Sequence, residues 1–155
     1  MTDPSARRPD APRGCTNLKL RQLTRRVGQH YDRIVIASGL KTTQYSLLSC
    51  IVRLGPARPG EIARAMEMDA STLTRNLQPL VAQGWVEIAA GVDARSRAVT
   101  ATAAGRAKRN EAQHAWKRAQ LAFNRRIGDA RVTELHALLD DCLAAIKDTE
   151  EHADA

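Results

Sequence analysis

The segment from Asp69 to Gly105 constrains the fold of this chain most strongly, because its periodicity changes within it from helical to extended. Three leucines recur at helical spacing near its start and predict a helix with a single apolar face: Leu73, Leu77 and Leu80. Gly84 follows them, and glycine readily adopts the left-handed conformation that ends a helix. Apolar residues then alternate with polar or small ones in two short stretches, which predicts two strands: Val86 and Ile88, then Val99 and Ala101.

The face of this helix opposite the leucines carries side chains that can contact DNA. Hydroxyl, amide and guanidinium groups bind phosphates and base edges, and the predicted contact residues are Ser71, Thr72, Thr74, Arg75 and Asn76. A shorter helix from Pro59 to Met66 precedes it, and a charged loop from Gly91 to Arg97 separates the two strands. A helix-turn-helix followed by a basic hairpin is a winged helix-turn-helix, which predicts a DNA-binding regulator.

Each predicted contact on this helix has a structural alternative. Arg75 can donate two hydrogen bonds to guanine O6 and N7, or it is a solvated helix charge. Asn76 can read adenine or cap a local turn. Ser71 or Thr72 can cap the helix instead of contacting DNA, although Asp69 is also a plausible cap.

Positive charge favours a nucleic-acid partner. The chain has 24 lysines and arginines against 17 aspartates and glutamates, a formal net charge of +7. Arg95, at the tip of the predicted wing, suits a narrow minor groove, and Arg97 extends the patch along the returning strand; an ordinary solvated turn is the alternative. Aromatic residues make up only 3%, which disfavours a base-stacking platform for single strands. The predicted partner is therefore double-stranded DNA.

Other classes of protein lack their sequence signals. There is no run of 18 apolar residues and no secretory signal, so we expect a cytoplasmic protein without a membrane partner. The three cysteines (Cys15, Cys50 and Cys142) and the four histidines lack metal-ligand spacing, so neither a metal nor a cofactor is predicted. A glycine-rich phosphate loop, a nucleophile elbow and a paired-carboxylate motif are all missing, and no enzyme is predicted.

The two ends of the chain differ from its centre. Residues 1–14 are rich in proline and arginine and predict a disordered basic tail. Residues 15–38 and 103–148 predict amphipathic helices around a winged helix-turn-helix lobe of residues 39–102. Because these outer helices carry apolar stripes that need a partner surface, we predict that they form a homodimer interface; the alternative is that they fold back on their own core.

Local sequence also predicts the capping residues of two helices and the buried face of the second helix. Thr42 or Thr43 is expected to cap the second helix, and Asp129 to cap the last one. The predicted apolar positions of the second helix are Tyr45, Leu47, Leu48, Ile51 and Leu54.

Taken in order, these residues resemble the MarR (multiple-antibiotic-resistance regulator) family of bacterial transcription factors, over residues 15–146. The resemblance rests on six segments at similar spacing: LKTTQYSLL from Leu40, GEIA from Gly60, STLTRNL from Ser71, GWV from Gly84, DAR from Asp93 and VTATAAGR from Val99. It implies a homodimer joined by the first, fifth and sixth helices. It also implies that the fourth helix enters the major groove of an inverted-repeat operator and that the wing reaches the minor groove.

The resemblance assigns roles to further residues. Asp93 matches the acid that braces the wing arginine in the family. Many members release DNA when a small molecule binds between the dimer helices and the DNA-binding lobe. The candidate effector-binding residues here are His30, Tyr31, Arg33, Tyr45 and Trp116, with a merely packed or surface His30 as the alternative.

Cys15 is a candidate redox switch, because one branch of the family senses organic hydroperoxides with a cysteine in this region. Its place before a helix, near Arg13 and Lys19, favours the thiolate. Lys19 stands where that branch has a tyrosine, so an unremarkable terminal thiol is the alternative. The resulting prediction is a homodimeric, sequence-specific repressor released by a small-molecule effector. A peroxide-responsive repressor using Cys15 and a non-specific architectural DNA-binding protein remain as alternatives.

Overall fold

The computed structural model describes residues 12–91 and 97–153. Within these ranges it contains six α-helices, a short 3-10 turn and one antiparallel hairpin. In chain order the elements are α1 (Thr16–Val35), the 3-10 turn (Ile36–Ser38), α2 (Thr42–Leu54), α3 (Pro59–Ala65), α4 (Ala70–Ala82), β1 (Val86–Ala90), β2 (Arg97–Ala101), α5 (Ala103–Ile127) and α6 (Asp129–Ala153). The predicted mainly helical fold with a small β-hairpin is confirmed.

The main hydrophobic core lies where α2, α3, α4 and the hairpin meet. The largest fully buried side chains are Val35, Leu40, Leu47, Leu48, Ile51, Ile62, Leu73, Leu80 and Val99. The predicted core stripe of α2 is correct except at Leu54, which is exposed. Leu54 is the last residue of its helix, and the chain turns away from the core at Gly55, where φ is 71°. Cys50 is buried in the same helix and packs as a small apolar residue.

The hairpin is anchored to the helical core by a third short segment. Its two strands pair in antiparallel register from Val86 opposite Ala101 to Ala90 opposite Arg97. Ala57, between α2 and α3, exchanges backbone hydrogen bonds with Val99 in both directions, at 3.2 and 2.9 Å. Because Val99 is fully buried, this bridge fixes the base of the hairpin against the core.

The junction between the hairpin and α5 is held by close backbone packing. The Thr102 hydroxyl donates to the Gly84 carbonyl at 2.7 Å and accepts from the Gly105 N–H at 3.0 Å, so it also caps α5. The Thr102 N–H donates to the Trp85 carbonyl at 3.1 Å. A Cβ atom on Gly105 would lie 1.9 Å from that carbonyl oxygen, so only glycine permits this approach.

Two predicted helix caps are wrong. Thr42 is the first helical residue of α2, and Lys41 takes the capping position, where its N–H donates to the Gln44 side chain at 2.9 Å. The Thr42 N–H is satisfied by the Asp32 carboxylate of α1 at 2.8 Å, a partner that local sequence cannot reveal. In the same way Asp129 is the first helical residue of α6 rather than its cap. Its carboxylate still lies in the first turn, where the helix dipole favours negative charge.

The outer helices leave much of their apolar surface uncovered. The residues of α1 from Thr16 to Arg26 are all exposed, including the apolar side chains of Leu20 and Leu23. On α6, Val132 is buried, whereas the larger apolar side chains Leu138, Leu143 and Ile146 are exposed. The predicted stripe is present on α6, but within one chain it is only partly covered. None of the helices in the described ranges combines the length and hydropathy required to span a bilayer.

Candidate nucleic-acid interface

The polar surface predicted on α4 is present in the structure. The helix buries Leu73, Leu77 and Leu80, so that its opposite face is turned to solvent. On that face Ser71, Thr74 and Arg75 are exposed, and Thr72 and Asn76 are half-buried. The leucine spacing thus determines which side chains are available to a partner.

Asp69 organises the start of this face. Its carboxylate accepts the Thr72 N–H at 2.7 Å, which confirms the predicted cap, and it also accepts the hydroxyl hydrogens of Ser71 at 2.6 Å and Thr72 at 2.7 Å. Hydrogen bonds from the Ser71 hydroxyl and then from the Thr72 N–H and hydroxyl lower the pKa of Asp69 well below its usual range. Asp69 is therefore a carboxylate at neutral pH. Ser71 and Thr72 bond to the cap without being the cap themselves.

The other predicted contact residues of α4 also have intramolecular partners. The Thr74 hydroxyl donates to the Ala70 carbonyl at 2.8 Å, one helical turn earlier. Arg75 Nη2 lies 3.4 Å from the Thr72 hydroxyl oxygen, so the guanidinium follows the helix surface. The Asn76 amide contacts the Met68 sulfur at 3.8 Å, which turns it toward the inter-helix turn. Arg75 is thus the longest exposed donor of the predicted set on α4.

The turn between α3 and α4 is tight and has a strained residue. The Met68 N–H donates to the Ala63 carbonyl at 2.9 Å, and Glu67 has a φ of 51°, the left-handed conformation. Lys147 of α6 pairs with the Glu67 carboxylate at 2.5 Å. Neither the left-handed turn residue nor its partner was predicted, because glycine or asparagine is the usual signal for this conformation and Lys147 lies far along the chain.

The described residues of the wing lie beside α4. Arg97 is the first residue of β2 and is exposed. It lines an apolar groove of about 350 Å³ together with Thr74 and Gln78, so a basic group stands next to the polar face of α4. The predicted wing residues Asp93 and Arg95 lie outside the described residues, and their roles stay predictions.

The five candidate effector residues occupy different environments. His30 and Arg33 line an open groove of about 400 Å³ between α1 and the end of α5. Tyr31 is buried, and its hydroxyl donates to the Gln120 side chain at 2.6 Å. Burial raises the pKa of the Tyr31 phenol. Tyr45 and Trp116 instead stack on each other at 5.9 Å between α2 and α5. His30 also contacts the Ala119 carbonyl at 3.1 Å, so it packs and lines the groove at once.

A third open cavity, of about 390 Å³, lies where α2, α5 and the end of α3 meet, and the sequence did not predict it. It is lined by Ser46, Ser49, Cys50, Val52, Arg53, Met66 and Arg109. The helical spacing of Ser46, Ser49 and Arg53 could have predicted that these polar side chains share one face of α2 and line one wall of this cavity. The contact from Arg109 Nε to the Ser49 hydroxyl at 3.4 Å joins residues distant in sequence, which no local pattern predicts.

Cys15 lies immediately before α1 and is exposed. Its thiol makes no hydrogen bond to the helix start within the described residues, and its carbonyl accepts the Lys19 N–H at 3.1 Å. Exposure makes the thiol accessible to an oxidant. Its role as a redox switch stays a prediction.

Comparison with known proteins identifies the family. The model of the MarR family matches residues 38–96, which include α2, α3, α4 and β1. The crystal structure of the M. tuberculosis transcriptional regulator MosR in complex with DNA superimposes with a TM-score of 0.73 and 35% sequence identity, over 85% of this chain and 98% of that one. This chain belongs to the MarR family of transcriptional regulators.

Two further proteins are similar to parts of this chain. The uncharacterized HTH-type transcriptional regulator YwoH of Bacillus subtilis is 30% identical over 84 residues, 54% of this chain. The match spans 61% of YwoH, less than two thirds of its length. A mutant of MarR from E. coli in complex with operator DNA has a TM-score of 0.75 at 21% identity, over 82% of this chain and 92% of that one. At this identity the likeness is evidence for the winged-helix fold alone.

The region matched by the MarR-family model contains most of the predicted contact residues. The face from Ser71 to Asn76 lies within it, as do Asp93 and Arg95, which the sequence predicts for the wing. The effector candidate Trp116 and the redox candidate Cys15 lie outside it. The family match therefore includes α4, whereas the DNA-contact, effector and redox assignments of individual residues stay predictions.

Proposed function

We propose that this MarR-family regulator is a homodimeric, sequence-specific DNA-binding repressor that a small-molecule effector releases from an inverted-repeat operator. One observation carries the proposal: α4 buries its leucines and presents Ser71, Thr74 and Arg75 to solvent, next to Arg97 at the start of β2. A solvent-exposed helix with this composition can enter a major groove. The DNA complex of MosR, at 35% identity, supports the same use of the fold.

The homodimer is supported by the uncovered apolar side chains of α1 and α6. Leu18, Leu20 and Leu23 are exposed on α1, and Leu138, Leu143 and Ile146 on α6. Many exposed large apolar side chains on two long helices are unfavourable in water and are typical of an interface between copies. A dimer would place two copies of α4 at two half-sites, so it predicts an inverted-repeat operator.

Release by an effector is supported by the groove between α1 and α5. Its described lining contains His30 and three arginines, Arg26, Arg33 and Arg126, and no acidic residue, together with the apolar side chain of Phe123. This combination favours a small anion with an apolar body. Because α1 and α5 belong to the proposed dimer region, a ligand there would change the separation of the two reading helices.

The proposal is tested by measuring the affinity of the full chain for the promoter-proximal DNA of its own gene region and for random duplexes. We expect the parent to protect an inverted repeat in a footprint. Because both copies in the dimer lose the contact, Arg75→Ala should lower the preference for that repeat at least about thirtyfold, the lower end of the range for two lost arginine–guanine contacts. Arg118→Ala, which removes an equal charge from an exposed position of α5, is the matched control. Uniform protection along the duplex would instead support a non-specific architectural protein.

Release by an effector has its own test. Benzoate, an anion with an apolar ring, serves as the probe in a titration of the preformed DNA complex. We expect DNA release by the parent and weaker release by Arg33→Gln, which retains a polar side chain but removes its charge. Equal release from both proteins, or none from the parent, would exclude this groove as the site for such an anion.

A further inference from the structure

The reading face of α4 is the exposed polar face that we propose contacts DNA. Its three hydroxyl groups, of Ser71, Thr72 and Thr74, already donate hydrogen bonds within the protein. Ser71 Oγ lies 2.6 Å from Asp69 Oδ1, and Thr72 Oγ1 lies 2.7 Å from Asp69 Oδ2. Thr74 Oγ1 lies 2.8 Å from the Ala70 carbonyl oxygen. Ionised carboxylates and carbonyls only accept hydrogen bonds, so in all three contacts the hydroxyl must be the donor.

This geometry limits what these groups can bind. A hydroxyl has one hydrogen, and once that hydrogen is used, only its lone pairs remain for a partner. DNA phosphate oxygens are acceptors as well, and two acceptors do not form a hydrogen bond. In the major groove the donors are the amino groups N6 of adenine and N4 of cytosine. Ser71 and Thr74, which are exposed, can therefore accept from base amino groups without breaking an existing bond.

Asp69 also opposes phosphate at the start of α4. The N-terminus of a helix attracts anions through its free N–H groups, but here the Thr72 N–H is bonded to the Asp69 carboxylate. The carboxylate is exposed, and its low pKa keeps it negative, so it repels a phosphate brought to the same place. The side chain that caps the helix thus occupies one of the N–H groups that could bind an anion and places a negative charge beside the others.

The Asp69 carboxylate also positions Arg75, through the hydroxyl group of Thr72. Thr72 Oγ1 donates its hydrogen to Asp69, so the contact with Arg75 Nη2 at 3.4 Å can only have the guanidinium as donor. Asp69, Thr72 and Arg75 therefore form a directed chain across the reading face. The guanidinium retains its other N–H groups for guanine O6 and N7.

We propose that Asp69 is a specificity-determining positioning residue. Because its carboxylate accepts the hydroxyl hydrogens of Ser71 and Thr72, the start of α4 accepts hydrogen bonds from base amino groups and repels backbone phosphates. The inference rests on the proposed DNA binding and goes beyond it. It assigns Ser71 to base reading, where the sequence left phosphate and base contacts open. It also assigns a sequence-reading consequence to a residue that the sequence identified only as a helix cap.

The test uses Asp69→Asn in the full chain. Asparagine caps helices as well as aspartate does, so the fold should be retained, which a melting curve checks. Its neutral amide has one acceptor and a donor group, so it removes the negative charge and frees at least one hydroxyl hydrogen. Asp140→Asn, an equal change of charge at an exposed position of α6, is the matched control.

We expect Asp69→Asn to bind random duplexes more tightly than the parent and to reduce the ratio of specific to random affinity about tenfold, the loss expected for one or two hydrogen bonds. An unchanged ratio in a folded variant, with a parent that binds its operator specifically, would overturn this inference alone. If the parent itself showed no preference for any duplex, the proposed function would fail, and this inference with it.

A base-analogue arm separates base reading from phosphate binding by Ser71. Each adenine of the operator is replaced in turn by purine, and each cytosine by 2-pyrimidinone, which lack only the amino group. For one position we expect the parent to lose affinity while Ser71→Ala is insensitive. A Ser71→Ala variant that weakens binding to all duplexes alike, with the same sensitivity to every analogue as the parent, would mean that Ser71 binds phosphate and would overturn the proposal.

Discussion

Replacing Gly105 by alanine should destabilise the junction between the hairpin and α5. The new Cβ would lie 1.9 Å from the Trp85 carbonyl oxygen and 2.8 Å from the carbonyl carbon. This carbonyl belongs to the backbone and accepts the Thr102 N–H, so it cannot rotate away as a side chain would. Either the start of α5 or the base of β1 must move.

The size of the effect follows from two opposing contributions. Overpacking in a buried site costs about 1–3 kcal/mol, and contact with a fixed backbone atom places this case at the upper end. Alanine in a helix is more favourable than glycine by about 1 kcal/mol, which offsets some of that cost. The net loss is about 2 kcal/mol, and for a chain of this size it lowers Tm by about 4–8 °C.

The assay is thermal unfolding followed by circular dichroism at one fixed protein concentration. Gly60→Ala is the matched control, because Gly60 lies in α3 and a Cβ there would meet no atom within 4 Å. We expect the control to melt at or slightly above the parent temperature. If Gly105→Ala melted as high as the parent, the close approach of α5 to Trp85 would be wrong.

Three further predictions test separate features of the molecule. Asp32→Ala should cost about 1 kcal/mol of unfolding free energy, because it removes the acceptor of the Thr42 N–H at the start of α2; Asp32→Asn, which keeps an oxygen there, should cost less, and equal losses in urea titrations would count against the cap. Arg95→Ala should weaken binding to most duplexes and flatten its salt dependence, and an unchanged slope in a salt titration would refute a DNA contact. If the exposed Cys15 is a peroxide sensor, Cys15→Ser should stay on operator DNA when peroxide releases the parent, and release of both proteins would exclude that role.

Features that depend on neighbours in sequence were predictable. The alternation of leucines with polar residues in α4 determined its buried and exposed faces, and Asp69 was recognised as its cap because capping acts over three residues. The hairpin strands followed from alternation and from Gly84, whose φ of 68° is the left-handed conformation expected there.

Features that join distant segments were not predictable from local patterns. The Asp32 carboxylate reaches Thr42 from another helix, and Thr42 was itself mistaken for a cap because threonine is a common one. The bridge between Ala57 and Val99 depends on how α2 and α3 place the chain beside the hairpin.

The candidate effector residues also show that local sequence does not reveal which side chains lie together. His30 and Tyr31 are adjacent in sequence, yet one lines an open groove and the other is buried against Gln120. Tyr45 instead stacks on Trp116 between α2 and α5. Composition and spacing identified polar and aromatic side chains on α1, α2 and α5 as candidates. Which of them share a cavity depends on the angle at which α1 and α2 cross α5, and the sequence does not encode that angle locally.

Selection of bound duplexes from a random pool tests the central claim most directly. We expect the parent to enrich an inverted repeat whose two half-sites lie about one helical turn apart, as when two copies of α4 occupy successive major grooves. We also expect Arg75→Ala to enrich a less defined motif from the same pool. Enrichment of a single half-site, or of no sequence at all, would contradict a dimer that reads DNA through the exposed face of α4.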